Sequence, residues 1–567
     1  MTAKNFVQET VNEVNILIKT AIEKAMEKSQ LPQAEIPNYT VEIPADTSHG
    51  DFATNAAMVS AKTFRNAPAK IAAAILENMD FSTAKYIEKA EMAGPGFINF
   101  FVKESWFAQT VAGVLEAGKD YGRSDYGKGE KVMIEFVSAN PTGPMHMGNA
   151  RGGAIGDCLA AAMDACGYDV TKEFYINDAG NQIEKFGLSL DVRYQQIFKG
   201  EEAVELPEDA YQGEDIKERA KQFAEINGDK YLSVSEEERR KALVEFALPK
   251  NVAGLKVDLE KYRIVYDVWF SESTLHESGA VKAVVDNLTE RGLTYEKDGA
   301  IWYKATEFGG EKDEVLIRAN GNPTYFAADI AYHKNKFADR KFSKVINVWG
   351  ADHHGHVARL KGAMDAVGLD GKKLDIILMQ LVRLMKDGQP YKMSKRTGKA
   401  VTLSDLTDLV PIDAARFLFN MREPNSTLDF DLDLAVEESS NNPVYYVQYA
   451  HARICSILKN LKAQGIEARE CTVEELQKLS TNEEKELIRK IALCPQEIIN
   501  AAKNYDPARM THYCVDLATM FHKFYNNCRV QGEEETLMQA RISLCIAVKT
   551  TLCNMLELLK ITVPESM

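Results

Sequence analysis

The stretch that decides the fold is 132-VMIEFVSANPTGPMHMGN-149, an apolar run followed by a turn rich in proline and glycine. The run at 132–137 predicts a buried strand. Pro141, Gly143 and Pro144 fix a tight turn, and Gly148 lets the backbone approach a ligand closely. The Ala- and Gly-rich sequence that follows predicts a helix. A strand, a turn and a helix N-terminus in this order form a typical anion-binding site.

A second short segment, 391-YKMSKRTGK-399, is strongly basic. Lys392 and Lys395 are flexible point charges suited to a pyrophosphate group. The turn residues at 387–390 and Gly398 on either side provide hinges, which favours a functional loop over a merely solvated basic surface. We therefore expect this loop to close over the same anion as the first segment.

The sequence around the first segment alternates apolar strand-like runs with helical runs. Residues 132–137, 345–349 and 376–379 predict strands of a parallel sheet with helices on both faces. The expected fold class is α/β: a Rossmann-like, doubly wound parallel sheet forming a catalytic domain over residues 125–430. The highly charged residues from about 190 to 257 predict a helical insertion between the halves of the sheet.

Two further domains are predicted on either side. Residues 1–115 indicate a small N-terminal α/β domain that opens with an amphipathic helix and ends with a turn and a β-rich run at 94–102. Residues 48–62 predict another helix within it. After about residue 435 strand signals vanish, and long amphipathic stretches predict an all-α helical bundle over 435–567.

Composition indicates the class of protein but does not identify what the protein binds. The 567 residues carry a formal net charge of −15, with 45% hydrophobic and 27% charged residues, which is typical of a globular protein. No apolar run approaches the roughly 20 residues needed to span a bilayer, and the N-terminus lacks the apolar core of a signal peptide. We therefore expect a cytoplasmic protein without a membrane partner. The negative charge does not exclude RNA, since local basic clusters can bind phosphates.

Nine cysteines occur without a CxxC pair. This pattern predicts buried thiols and neither a disulfide framework nor a zinc ribbon.

Three carboxylates are candidates for binding a cation. Glu135 lies inside an apolar strand, where an unpaired charge costs several kcal/mol. Tyr325 and Asp329 are spaced i, i+4, so they share one face of a helix. Glu272 lies in the segment 267–273. Several carboxylates at one pocket suit a cationic substrate such as a guanidinium.

The two short segments resemble the HIGH and KMSKS signatures of class I aminoacyl-tRNA synthetases. Longer segments narrow the resemblance to the arginyl-tRNA synthetase family: EFVSANPTGPMHMGN, DVWFSES, PTYFAADIAYHKNK, WGADHHGH, KMSKRTG, NNPVYYVQYAHARI, FHKFYNNCRV and the terminal Met567. The resemblance covers nearly the whole chain. It implies an ATP-dependent ligase that activates L-arginine as the adenylate and transfers it to tRNA(Arg), with ATP and Mg²⁺ as the substrate complex.

The resemblance also implies residue roles. The catalytic and ATP-binding residues would be His146, Gly148, Asn149, Lys392, Met393 and Lys395. Asn149 stands where the family more often has a second histidine, and its amide can still donate a hydrogen bond. Arginine would be bound by Glu135, Asn140, Glu272, Tyr325, Asp329 and His353. The tRNA would contact Phe97 and Asn99 in the N-terminal domain, and Tyr445, Tyr449 and Met567 in the C-terminal domain. The exposed aromatic-plus-amide pair at 97 and 99 suits an unpaired base.

Several alternatives are weaker. The clustered histidines of 352-DHHGH-356 are typical of metal ligands, but no further Cys or His has zinc-ligand spacing nearby, so we expect no zinc. The segment 148-GNARGGAIG-156 lacks the register of a dinucleotide-binding loop. The remaining alternatives are a synthetase for another amino acid, a nucleotidyltransferase of related fold, and a non-catalytic RNA-binding paralogue. We expect a monomer.

Overall fold

The N-terminal part of the protein is a four-stranded antiparallel sheet covered by helices. The computed structural model describes residues 4–391 and 401–567. The first elements are α1 (Phe6–Glu27), β1 (Val41–Glu42), β2 (Phe52–Thr54), α2 (Ala56–Val59), α3 (Ala61–Phe64), α4 (Pro68–Glu77), β3 (Ile87–Ala93), β4 (Phe97–Val102) and α5 (Glu104–Ala117). The strand order is β1-β2-β4-β3. The helix predicted at 48–62 is partly wrong, because β2 precedes the two short helices in this stretch.

The central part is built on a parallel sheet. Its elements are β5 (Lys131–Glu135), α6 (Gly148–Ala165), β6 (Asp169–Ile176), α7 (Asn181–Lys199), α8 (Glu214–Asn227), α9 (Glu236–Lys261), β7 (Val268–Ser271), α10 (Ser273–Glu277), α11 (Ala280–Glu290), β8 (Thr294–Lys297), β9 (Ala300–Tyr303), β10 (Glu314–Ile317), α12 (Tyr325–Lys334), β11 (Lys344–Gly350), α13 (His354–Ala366), β12 (Leu374–Met379), β13 (Val382–Lys386), β14 (Gln389–Pro390), α14 (Leu403–Leu409), α15 (Ile412–Phe419), β15 (Leu428–Asp431) and α16 (Leu432–Val436).

Five of these strands form one sheet in the order β12-β11-β5-β6-β7, and every neighbouring pair is parallel. The chain moves outward from β5 to one edge and then returns beside β5 to build the other half. The predicted doubly wound sheet is therefore confirmed, with its topological switch point between β5 and β11. Ligands of such sheets bind beyond the carboxyl ends of the strands at this point.

The glycines after the first segment serve helix packing. A Cβ at Gly156 would lie 2.3 Å from Cγ of Phe136, which follows β5. Only glycine lets α6 approach the sheet this closely. This close packing holds α6 against the sheet. The N-terminus of α6, at Gly148, faces the switch point.

The predicted helical insertion is real, but its position differs from the prediction. Helices α7, α8 and α9 span 181–261 and lie between β6 and β7, inside the first half of the sheet. They have a small core of their own around Phe186, Leu190 and Phe223. A second insertion, the antiparallel sheet β10-β9-β8, follows β7 and has no counterpart in the prediction.

The C-terminal part is helical, as predicted. It comprises α17 (Pro443–Ala463), α18 (Val473–Leu476), α19 (Asn482–Ala492), α20 (Cys494–Asn504), α21 (Ala508–Asn527) and α22 (Glu535–Leu558). Among the residues that the structure describes, no strand follows Asp431, and no helix combines the length and apolar character needed to cross a bilayer.

The N-terminal and C-terminal parts contact each other directly. Arg489 of α19 donates to Asp51 at 2.6 Å, and its guanidinium lies 4.9 Å from the ring centre of Phe107 in α5. Tyr121, just after α5, is fully buried and donates its hydroxyl to the carbonyl of Ile491 at 2.9 Å. Helix α5 therefore packs against helices that are made at the other end of the chain.

Candidate active site and nucleic-acid contacts

A cavity of about 690 Å³ opens at the switch point of the parallel sheet. Its walls come from the turn after β5, the start of α6, the ends of β6 and β11, one face of α12 and the start of α13. It is lined by Glu135, Val137, Ser138, Asn140, His146, Gly148, Asn149, Gly152, Tyr175, Asn177, Gln182, Tyr325, Asp329, Tyr332, His333, Val348, Trp349, Gly350, Asp352, His353, His356, Arg359, Met379, Gln380, Leu381 and Val382. This volume suits a small molecule with several polar groups.

His146 stands at the N-terminus of α6. The backbone N–H of Gly148 donates to its Nδ1 at 2.9 Å. Because Nδ1 accepts a hydrogen bond, the proton of the neutral ring must lie on Nε2. Partial desolvation lowers the pKa of His146, which favours this neutral form. The ring therefore presents an N–H donor to the cavity, beside the positive end of α6.

The backbone on both sides of this histidine pairs with the segment that follows the basic loop. The N–H of Met147 donates to the carbonyl of Val401 at 2.9 Å, and the N–H of Leu403 donates to the carbonyl of Met145 at 2.8 Å. Lys392, Met393 and Lys395 lie outside the described residues. Residues 401–403 are held beside His146 by these two hydrogen bonds.

Arg151 fixes the start of α6 to the far wall of the cavity. Its buried guanidinium donates to three backbone carbonyls, those of Gln380, Ser426 and Glu423, at 3.1, 2.8 and 2.9 Å. With carbonyl acceptors in place of a carboxylate, burial lowers the pKa of Arg151 to about 10. The residue thus ties the first helical turn to the segment after β12 and to the segment between α15 and β15.

The turn after β5 is strained. Val137 and Ser138 have positive φ angles of 70° and 44°, which L residues rarely adopt and β-branched residues least of all. The strained turn lets the Ser138 hydroxyl donate to Oε1 of Glu135 at 3.0 Å and accept from the N–H of Tyr175 at 3.1 Å. Residues held in this way often lie at functional sites.

The charge of Glu135 is paired. Lys336, which is fully buried, donates to Oε2 of Glu135 at 2.5 Å and to Asn347 at 3.3 Å. Lys336 reaches this position because α12 continues as a π-helical turn, Asn335–Asp339. The cost predicted for an unpaired carboxylate in this strand is therefore offset by a lysine.

Asp329 belongs to a relay of four side chains. His356 Nε2 lies 2.9 Å from Oδ2 of Asp329, and Arg359 Nε donates to His356 Nδ1 at 2.6 Å. Arg359 in turn donates to Glu314 at 2.9 Å. Since Nδ1 accepts from the guanidinium, the imidazole carries its proton on Nε2 and donates it to Asp329. The carboxylate is oriented by His356, and within 4–391 and 401–567 its Oδ1 accepts no hydrogen bond.

Glu272 lies one layer behind the cavity wall. It is buried, and Asn177 donates its amide N–H to Oε2 of Glu272 at 3.0 Å when the amide is oriented to match its neighbours. The hydroxyl of Tyr175 and the ring of His276 also hydrogen-bond to it. Burial raises the pKa of Glu272 above that of an ordinary glutamate. It is connected to the cavity by its hydrogen bonds to Tyr175 and Asn177, which line the wall.

The structure thus brings most of the predicted small-molecule site together. Around one cavity lie the predicted residues Glu135, Asn140, His146, Gly148, Asn149, Tyr325, Asp329 and His353, while Glu272 is behind its wall. The sequence interpretation missed further lining residues, Tyr175, Asn177, Gln182 and Arg359. His356 also lines the cavity; it belongs to the histidine cluster that the sequence singled out, although only His353 of that cluster was assigned to the arginine site.

The histidine cluster divides into different environments. His353 is more than half exposed and lies beside the exposed Asp352, whereas His356 is enclosed between Trp349 and Phe326. Over 4–391 and 401–567 no three side chains of His, Cys, Asp or Glu are grouped to hold a metal ion.

The predicted base-stacking pair in the N-terminal sheet is only partly exposed. Phe97, at the start of β4, is 36% exposed, but Asn99 is 7% exposed. Asn99 lies between β2 and β3, and the backbone at Gly50 packs against it. The expectation of an exposed amide beside the aromatic ring is therefore wrong, whereas the ring itself is accessible.

An exposed aromatic and cationic surface lies on the C-terminal helices. The guanidinium of Arg453 lies 4.7 Å from the ring centre of Tyr449 and 5.1 Å from that of Tyr525, and both rings are exposed. Tyr445 is half-buried, and Met567 is exposed at the chain end. Flat rings beside a cation suit stacking with unpaired bases.

Comparison with known proteins agrees with this arrangement. Three family models match in series: the arginyl tRNA synthetase N terminal domain over residues 16–102, the class I (R) tRNA synthetase catalytic domain over 110–457, and the DALR anticodon binding domain over 447–567. The arginine–tRNA ligase of Caldanaerobacter subterraneus subsp. tengcongensis is 56% identical over 564 residues, covering 100% of both chains.

Two other relatives agree. The arginine–tRNA ligase of Acetivibrio thermocellus is 54% identical, covering 99% of this chain and 100% of that protein. The crystal structure of a putative arginyl-tRNA synthetase from Campylobacter jejuni superposes with a TM-score of 0.74 at 35% identity, covering 82% of this chain and 100% of that one. The chain belongs to the arginyl-tRNA synthetase family of class I aminoacyl-tRNA synthetases.

Proposed function

We propose that the protein activates L-arginine with ATP to arginyl-adenylate and transfers the arginyl group to the 3′ end of tRNA(Arg), releasing AMP and pyrophosphate. The observation that carries this proposal is the single cavity at the switch point. One side presents a helix N-terminus with the His146 N–H donor, and the other presents the oriented carboxylate of Asp329. An anionic phosphate and a cationic side chain thus have separate binding regions within one cavity.

The phosphate side would bind ATP as its Mg²⁺ complex. His146, Gly148 and Asn149 at the start of α6 would contact the nucleotide, and Lys392, Met393 and Lys395 would complete the site. A carboxylate oxygen of arginine attacks the α-phosphorus, the bond to the bridging oxygen breaks, and pyrophosphate leaves. Negative charge grows on the phosphate oxygens during this step, so donors placed beforehand stabilise the transition state.

The carboxylate side would bind arginine. Asp329 and Glu272 would balance the two cationic groups of the substrate, because the charge of Glu135 is already neutralised by Lys336. Asn140, Tyr325 and His353 lie around the same cavity and would supply hydrogen bonds to arginine. The planar guanidinium matches a carboxylate through two parallel hydrogen bonds, which the compact ammonium of lysine cannot make.

The two ends of the chain would bind the tRNA. We propose Phe97 in the N-terminal sheet and the C-terminal residues Tyr445, Tyr449 and Met567 as contacts, with Asn99 in a structural role. The exposed ring of Phe97 and the surface formed by Tyr449, Arg453 and Tyr525 support this proposal. The domain division at 1–115, 125–430 and 435–567 belongs to the same proposal. Limited proteolysis that cuts first inside these ranges would contradict it.

We further propose that the protein acts in the cytoplasm as a monomer. Charged tRNA is consumed by ribosomes there, which supports the first point. Sedimentation at working concentrations tests the second point, since a stable dimer would contradict it.

The decisive experiment is aminoacylation with each standard amino acid in turn, using ATP, Mg²⁺ and total tRNA. We expect charging with arginine and, at comparable concentrations, none with lysine. Citrulline, which replaces the guanidinium by a neutral urea of similar shape, is the matched control for charge and should not be charged. Charging of a different amino acid, or none by a folded protein, would overturn the proposal; the second result would favour a non-catalytic RNA-binding role.

A further inference from the structure

A row of polar side chains crosses the middle three strands of the parallel sheet. In the strand register, Glu135 of β5 is the partner of Asn347 on β11 and of Glu173 on β6. All three side chains are buried. Partners in neighbouring strands lie about 4.8 Å apart, so the two glutamates are close neighbours. Buried carboxylates need polar partners, and here those partners come from α12 and the turn that follows it.

Helix α12 and its π-helical turn are attached to this row by ion pairs and hydrogen bonds. Tyr332 donates its hydroxyl to Oε1 of Glu173 at 2.5 Å. Arg340, directly after the turn, forms an ion pair with Oε2 of Glu173 at 2.5 Å. Lys336, within the turn, pairs with Glu135. Each buried carboxylate of the row therefore has a cationic partner from the same segment of chain.

The same row is connected to the backbone of Asp329. Asn347 donates its amide N–H to Nε2 of His333 at 2.9 Å, and Nδ1 of His333 lies 2.8 Å from the carbonyl oxygen of Asp329. Burial lowers the pKa of His333 well below that of an ordinary histidine, so the ring is neutral. Since Nε2 accepts a hydrogen bond, Nδ1 carries the proton and donates it to that carbonyl. Strand β11 thus holds the helical turn that carries Asp329.

The apolar contacts of α12 resist sliding only weakly. Three of its buried residues are alanines, Ala327, Ala328 and Ala331, whose side chains project little. Small side chains let a helix shift over its neighbours, whereas buried polar pairs can specify one register. A shift by one residue moves a helix about 1.5 Å along its axis and about 100° around it. Such a shift would leave Glu135 and Glu173 buried without their partners, which is strongly unfavourable.

We propose that Glu173 and Arg340 are positioning residues that fix the place of α12 on the sheet and thereby the place of Asp329 in the arginine site. The proposal rests on the role proposed above for Asp329. Among the residues that the structure describes, neither Glu173 nor Arg340 belongs to the cavity wall. An effect of either residue on arginine binding therefore has to act through α12 or through its charge alone.

The opposite charges of the pair distinguish these two routes. If the charges acted on the cationic substrate only through space, loss of the Glu173 carboxylate would weaken arginine binding and loss of the Arg340 guanidinium would strengthen it. If the pair holds α12 in place, loss of either partner weakens arginine binding. The sign of the effect of Arg340→Met therefore decides between a field effect and positioning.

The test compares Glu173→Gln, Arg340→Met and Arg340→Lys with the wild type and with Glu484→Gln. Glu484 is the matched control, because it is also fully buried and forms an ion pair with an arginine, Arg541, at 2.7 Å in the C-terminal helices. Aminoacylation gives the turnover number and the Michaelis constants for arginine and ATP. Homoarginine, which is one methylene longer than arginine, is added as a competitive inhibitor. Thermal unfolding gives the folded fraction of each variant.

We expect Glu173→Gln and Arg340→Met each to raise the Michaelis constant for arginine at least about five-fold, because a displaced carboxylate no longer makes two parallel hydrogen bonds to the guanidinium. The Michaelis constant for ATP should be nearly unchanged. A pocket discriminates one methylene at least about ten-fold, and this preference for arginine over homoarginine should fall in both variants. Arg340→Lys keeps the ion pair and should remain close to the wild type. Glu484→Gln should lower the melting temperature without changing the Michaelis constant for arginine.

Three results would overturn the proposal. A lowered Michaelis constant for arginine in Arg340→Met would show a field effect. Unchanged arginine affinity and unchanged preference over homoarginine in folded variants would show that apolar packing alone places α12. Equal rises for arginine and ATP, or a loss of turnover that only follows the loss of folded protein, would make the pair merely structural.

If Glu173→Gln does not fold, the two Arg340 variants carry the test, since the Arg340 side chain is 23% exposed and its replacement is better tolerated. A raised Michaelis constant for arginine in Arg340→Met that Arg340→Lys restores would then support positioning, and any other pattern would oppose it. Failure of the wild type to charge tRNA with arginine would instead refute the proposed function.

Discussion

Replacing Asp329 by asparagine should weaken arginine binding and leave ATP binding nearly unchanged. Asparagine has almost the same shape and can still accept the hydrogen bond from His356, so the relay and the fold should persist. Loss of the charge removes one partner of a charge-assisted pair, which costs about 2–5 kcal/mol when the pair is buried. Since the Asp329 side chain is 32% exposed, solvent screening favours the lower part of this range, about 2–3 kcal/mol.

This free energy corresponds to a roughly 30- to 150-fold rise in the Michaelis constant for arginine. The assay is aminoacylation with arginine varied at saturating ATP, followed by ATP varied at saturating arginine. Asp352→Asn is the matched control, because Asp352 lines the same cavity but its side chain is 83% exposed. We expect it to differ from the wild type by a few-fold at most. Equal effects of the two substitutions, or a change confined to ATP, would remove Asp329 from the arginine site.

Lys395→Ala should lower the turnover number of activation more than it raises the Michaelis constant for ATP, because charge on the leaving pyrophosphate is largest in the transition state. Pyrophosphate exchange measures both quantities. An effect on the Michaelis constant for ATP alone would contradict this role. Phe97→Ala should weaken tRNA binding at an unchanged melting temperature, whereas Asn99→Ala should lower the melting temperature because the amide is buried; the opposite pattern would reverse their roles. Arg151→Met removes a buried guanidinium that donates to three backbone carbonyls and should reduce the free energy of unfolding by about 1–3 kcal/mol in denaturant titration. An unchanged midpoint would show that water replaces the guanidinium.

Local spacing was enough to predict some parts of the site. Tyr325 and Asp329 are one helical turn apart, and both reach the cavity from α12. The apolar run before residue 136 and the glycines after 147 predict the strand and helix that carry His146. These predictions succeed because backbone geometry alone decides which residues of one element share a face.

Long-range partners could not be predicted in the same way. Lys336 lies 201 residues after Glu135 in the chain, and it meets that carboxylate only through a π-helical turn. His356 contacts Asp329, whereas His353 does not. His353 lies in the turn before α13, and His356 lies in the first turn of the helix, which begins at His354. The sequence does not reveal this boundary. Period-two spacing puts Phe97 and Asn99 on one face of β4, but only the folded chain shows that Asn99 is buried while Phe97 stays accessible.

The contact between α5 and the C-terminal helices can form only near the end of synthesis. Helix α5 ends at Ala117, and α19, whose Arg489 contacts Phe107 and Asp51, begins at Asn482, 365 residues later. At roughly 5–20 residues per second, the apolar side of α5 emerges from the ribosome about 20–70 s before its partner exists. During that interval the nascent chain carries α5 with its apolar side uncovered. A chaperone that binds exposed apolar helices would have its longest opportunity there, and a truncated transcript would leave that face permanently open.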